Sequence, residues 1–111
     1  MIKIYNKLVR DKTIEEIAAD GRKANYRILD EKEFLEALGN KIVEEAKEVK
    51  EALKNGNLDE IIEEIVDVAL VLSYITEVKN ITVETAQLKA AEKLIKRGSY
   101  ENRIFLESVE E

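Results

Sequence analysis

The sequence predicts an all-α protein, a helical bundle built around a central antiparallel helix hairpin and completed by oligomerisation. Three observations carry that prediction. The 111-residue chain has no proline, four glycines and few aromatics, while Ala, Leu, Ile, Glu and Lys are abundant, a composition that suits helices. Apolar residues recur at three- and four-residue steps, as in Phe34, Leu35, Leu38, Ile42, Ala46, Val49 and Leu53. Between Lys41 and Tyr74 two such patterns meet at Gly56 and Asn57, a connection so short that it makes the two helices antiparallel neighbours. The length suits a single domain over residues 1–111.

Each element has its own local signal. The opening segment gathers Lys3, Lys7, Arg10 and Lys12 among Ile4, Tyr5, Leu8 and Val9. Thr13 followed by Glu16 reads as a capping box for a short helix over Ile14 to Asp20, with Gly21 as its stop. Ala24 to Leu29 reads as an extended connector or a short strand. Asp30 with Glu33 starts the long helix, which has Gly39 as a place to bend and Gly56 as its end. Asn57 with Glu60 starts the second helix of the hairpin. A break over Asn80 to Thr82 precedes a last helix with Val83, Ala86, Gln87, Ala90 and Leu94 on its inner side, closed by Gly98.

The hairpin carries the functional question. On its first helix, Ile42, Ala46, Val49 and Leu53 make one apolar stripe. At about 100° per residue, Glu45 falls roughly 60° from the stripe centre, Glu48 roughly 120°, and Glu44 furthest away. Glu45 and Glu48 are therefore neighbours nearest the core boundary. On the second helix, Val68, Ala69, Leu70, Val71, Leu72, Tyr74 and Ile75 point in nearly every direction, the pattern of a helix buried all round. A chain this small needs a second copy to cover such a helix, so a homo-oligomer, dimer or tetramer, is expected. Glu64 and Asp67 lie on the strip that Val71 continues, which places carboxylates at the mouth of an apolar region. That placement is costly unless something neutralises them. Acidic helical strings are weak motifs singly, and Glu44, Glu51, Glu60 and Glu63 read as a solvated face. Glu45, Glu48, Glu64 and Asp67 read together as a set.

Charge and absences narrow the chemistry. A net charge of −6 and a pI near 4.9 argue against a nucleic-acid backbone as partner. The longest uncharged run, Val68 to Thr76, is too short to cross a bilayer, and MIKIYNKLVRDK lacks the apolar core of a signal peptide. No membrane partner and a cytoplasmic location are the expectations. Without cysteine or histidine, thiolate and imidazole chemistry are excluded and any metal must be held by oxygen. Mg²⁺ fits that donor set, with Mn²⁺ as the alternative ion. Lys89, Lys93 and Arg97 form a basic strip on the last helix. The strip reads either as a solvated face balanced by Glu84 and Glu92 or as a clamp for a polyphosphate. No glycine-rich phosphate loop or serine elbow is present.

The order of these motifs resembles a known family. E-E-x-x-E at Glu44, Glu45 and Glu48, followed by E-x-x-D at Glu64 and Asp67, resembles the signature of the MazG-like all-α nucleoside triphosphate pyrophosphohydrolases. The opening YNKLVRDK (Tyr5 to Lys12) and the closing KRGSYENR (Lys96 to Arg103) are similar to the phosphoribosyl-ATP pyrophosphohydrolase-like branch. Thr13 stands where that branch usually has proline, and Ser99 where a second glycine is common.

The resemblance implies Mg²⁺-dependent cleavage of a nucleoside triphosphate between its α and β phosphates, giving a nucleoside monophosphate and pyrophosphate. It also implies assembly into dimers or tetramers. Glu45, Glu48, Glu64 and Asp67 would be the metal ligands. Glu44 matches the motif, but its outward angle sets it apart from them. Either Glu45 or Glu48 would orient or deprotonate the attacking water. Asn6, Lys7, Arg10, Lys93 and Arg97 are the candidates for base or phosphate contacts. The alternatives are phosphoribosyl-ATP hydrolysis in histidine biosynthesis and a catalytically silent helical oligomerisation module.

Overall fold

The structure, a computed structural model, describes residues 1–110 as four helices with no strand among the described residues. They are α1 (Thr13–Ala19), α2 (Glu31–Asn55), α3 (Leu58–Val78) and α4 (Val83–Arg97). The all-α expectation is met. The Asp30 carboxylate accepts from the Glu33 amide at 2.8 Å and opens α2, and the Asn57 side chain accepts from the Glu60 amide at 3.1 Å and opens α3. Between them Gly56 adopts the left-handed conformation (φ 76°) that glycine reaches without penalty, and its amide closes α2 on the Ala52 carbonyl at 3.0 Å.

The chain divides into two compact units. The first, Met1–Lys79, contains the arm, α1 and the hairpin in which α2 and α3 pack along one another. The second begins at Asn80 and contains α4. There the Thr82 hydroxyl accepts from the Thr85 amide at 3.1 Å, and Gly98 (φ 80°) closes the helix on the Leu94 carbonyl.

Three local expectations need correction. Thr13 does not cap α1: its amide already bonds the Arg10 carbonyl at 3.0 Å, so Thr13 is the first helical residue and Lys12 takes the cap position without a side-chain bond. Of the two readings of Ala24 to Leu29, the connector is the one the structure has, since no second strand is present among the described residues to pair with its backbone. The packed line of α2 is also turned from the apolar stripe. Its buried residues are Leu38, Glu45 and Ala52, spaced as a seven-residue seam, whereas Ala46 and Leu53 are exposed. Finally, α3 has no buried residue, and Ile65, Leu72 and Tyr74 are each about half exposed (52%, 47% and 50%). Within the first unit α2 is the one long helix that packs on α3, and a single neighbour covers a single strip.

Leu38, 1% exposed, is the largest fully buried side chain. Leu38→Ala is expected to cost about 2–5 kcal/mol, through reduced transfer energy and the cavity left behind. Urea denaturation followed by circular dichroism measures it.

Candidate metal-binding acid cluster

An antiparallel hairpin sets opposite one another residues equally far from its turn. Glu48 and Glu64 are equidistant from Gly56 in sequence, and so are Glu45 and Asp67. The caps at Gly56 and Asn57 fix this register. As a result Glu45, Glu48, Glu64 and Asp67 each bring one carboxylate oxygen within 4.8 Å of the others.

The surroundings of the four differ. Glu45 is buried in the seam (7% exposed), Glu64 and Asp67 are half-buried, and Glu48 is exposed. Oε2 of Glu45 and Oε2 of Glu64 are buried with no hydrogen-bond partner. Each such orphan costs about 1–3 kcal/mol, more when ionised. Positive charge reaches the cluster at two points. Lys41 Nζ lies 3.6 Å from Glu45 Oε1, and the Arg10 guanidinium donates to Asp67. Lys41 also lies 3.4 Å from Glu44, which Lys7 approaches at 3.6 Å, so Glu44 faces lysines beside the cluster and is not part of it.

Repulsion is left over. Burial, then the proximity of Glu48, pushes the Glu45 carboxyl above its ordinary value, Lys41 only partly opposing them. A hydrogen bond with Glu64, then burial, pushes Glu48 up. Protonation relieves such a cluster, and so does a hard divalent cation, which takes oxygen ligands. Four carboxylates within reach of one point, two with orphaned buried oxygens, fit such an ion.

The raised carboxyls have a consequence for stability. Above the ordinary carboxylate range the folded cluster holds protons that the unfolded chain has released, so the metal-free protein loses stability as pH rises through that window. Glu45→Gln is expected to flatten this slope. Thermal unfolding in chelator, from pH 4.5 upward, reads the difference between variant and parent.

Of the other residues singled out in the sequence, Arg10 and Lys7 reach the hairpin as described. Asn6 lines a shallow recess with Lys7, Leu8, Ala37, Asn40, Lys41 and Glu44. Lys93 and Arg97 lie on α4 in the second unit, both exposed. Lys41 is absent from the candidates that the sequence suggests. Its signal is its position four residues before Glu45 on one helix, the spacing at which opposite charges meet.

The profile of the MazG nucleotide pyrophosphohydrolase domain matches residues 34–100, which include the whole hairpin turn and all four acids. Neither the curated proteins nor the solved structures compared with the chain gave a match. The matched segment spans more than half of the sequence, and the chain belongs to the MazG nucleotide pyrophosphohydrolase domain family.

Proposed function

We propose that the protein is a Mg²⁺-dependent pyrophosphohydrolase that cleaves a nucleoside triphosphate between its α and β phosphates, with Mn²⁺ as an alternative ion. The observation that carries this reading is the four-acid cluster with its orphaned Glu45 and Glu64 oxygens, in a chain of this family. Glu45, Glu48, Glu64 and Asp67 hold the cation. An ion held there would supply the positive charge that offsets charge developing on the leaving pyrophosphate.

The remaining work falls to side chains. Water attacks the α phosphorus, the bond to the bridging oxygen breaks, and the water proton passes to a carboxylate. Glu45 and Glu48 are the candidates for that base. Arg10 and Lys7, at the edge of the cluster, are suited to the phosphate chain, and Asn6 in its recess to a base or sugar edge. Lys93 and Arg97 are assigned to the phosphates on charge and spacing alone. Phosphoryl transfer requires chiefly such positioning and electrostatics.

Residues 1–111 act as one domain in this reading, and the working form is a homo-oligomer. The exposed apolar surface of α3 supports it, since Ile62, Ile65, Val66, Leu70, Leu72 and Tyr74 would otherwise face water. Size-exclusion chromatography with light scattering is expected to give a dimer or tetramer, and a monomer at micromolar concentration would overturn this point.

The activity is tested by pyrophosphate release from canonical and modified nucleoside triphosphates and from phosphoribosyl-ATP, with Mg²⁺ and with chelator. Metal-dependent release from triphosphates is expected. Preference for phosphoribosyl-ATP would reassign the substrate, and no release from any substrate would favour a silent oligomerisation module.

A further inference from the structure

The two cations at the cluster are held very differently. Lys41 projects from α2 onto Glu45 on the same helix, and its side chain is only 19% exposed. Arg10 reaches Asp67 from the arm before α1, a segment with no regular structure, and its side chain is 71% exposed. The arm also lies outside the matched family segment. Lys41 is thus a standing counter-ion, whereas Arg10 occupies its acid through one exposed ion pair, a class of interaction that is weak and easily exchanged.

We propose that Arg10 is an exchangeable counter-ion that holds Asp67 until a divalent cation enters the cluster and then turns its guanidinium to the phosphates of the nucleotide. The inference rests on the proposed metal role of the four acids and adds an order to it. The guanidinium holds Asp67 Oδ1, so a cation that takes this oxygen competes with Arg10 for it. Once displaced, Arg10 remains at the rim with its planar fork of donors free, a geometry that matches phosphate oxygens. Cation and nucleotide would then bind with positive coupling: metal releases the group that the phosphates need. Glu45, more than nine-tenths buried and with Oε2 unpartnered, is the fixed ligand around which the exchange occurs.

Calorimetric titration of the full-length protein tests the exchange, first with Mn²⁺ alone and then with a non-hydrolysable α,β-methylene nucleoside triphosphate at saturating Mn²⁺. Arg10→Gln is expected to tighten Mn²⁺ binding about two- to fivefold, the range set by an exposed ion pair. The same variant is expected to weaken binding of the analogue about tenfold or more. Lys12→Gln removes the same charge from the arm at a residue in no ion pair among the described residues. It should leave Mn²⁺ affinity nearly unchanged, which separates exchange from general repulsion. Mn²⁺ binding equal to or weaker than the parent in Arg10→Gln would overturn the exchange while leaving the acid cluster intact as the metal site. An equal gain in Lys12→Gln would also overturn it. No Mn²⁺ binding by the parent protein would overturn the metal site itself, and the exchange with it.

Discussion

Asp67→Ala and Glu64→Ala are each expected to abolish pyrophosphate release, by on the order of 10³-fold or more, the scale on which loss of a preorganised electrostatic group at a reacting centre is felt. Their expected effect on stability has the opposite sign. Each removes one member of a mutually repelling set, and Glu64→Ala also removes an orphaned buried oxygen. Asp67→Ala breaks the ion pair with Arg10, but that side chain is largely exposed and the pair is worth at most about 1 kcal/mol. The metal-free variants should therefore fold with parental helicity and melt at the same temperature or higher. Circular dichroism melts in chelator, run beside the pyrophosphate assay, separate the two effects. Turnover retained in both variants would sink the site assignment.

Removal of the metal should have the second largest effect. In chelator, turnover is expected to fall to background, because uncompensated carboxylates repel the polyphosphate they would otherwise bind through the ion. Returning Mg²⁺ should stabilise the fold by about 2.7 kcal/mol at a hundredfold excess over Kd, since the unfolded chain has no preformed cluster. This stabilisation should vanish in Asp67→Ala and Glu64→Ala. It should also grow as pH rises through the range where Glu45 and Glu48 release their protons, because the ion displaces those protons on binding. Stabilisation of equal size in the parent and both variants would place the ion elsewhere.

Much of the fold is legible in the sequence because it is written in local chemistry. Asp30, Asn57, Gly56 and Gly98 act as helix starts and stops through bonds to residues a few positions away, and such bonds are visible in any short window of sequence. Thr13 shows the limit, since a backbone bond from its amide to Arg10 moves the helix start one residue earlier. The grouping of the four acids is legible for a similar reason: a tight turn makes equidistant residues face one another.

What the sequence conceals depends on tertiary partners. Apolar periodicity places the packed face of α2 on Ile42, Ala46, Val49 and Leu53, yet the seam runs through Leu38, Glu45 and Ala52. The acids brought by α3 occupy part of that seam, so apolarity no longer marks the buried line. Arg10 and Asp67 meet across 57 positions of chain, a pairing no periodicity reports. The all-round apolar pattern of α3 predicts a helix covered on every side, but within its unit α2 is the one long helix that packs on it, and a single neighbour covers a single strip.

The central claim, cleavage between the α and β phosphates, is tested most directly by chromatographic identification of the products from a preferred nucleoside triphosphate in Mg²⁺. Nucleoside monophosphate and pyrophosphate in equal amounts, both absent in chelator, is the predicted result. Nucleoside diphosphate with inorganic phosphate, or equal product with and without the metal, would contradict it.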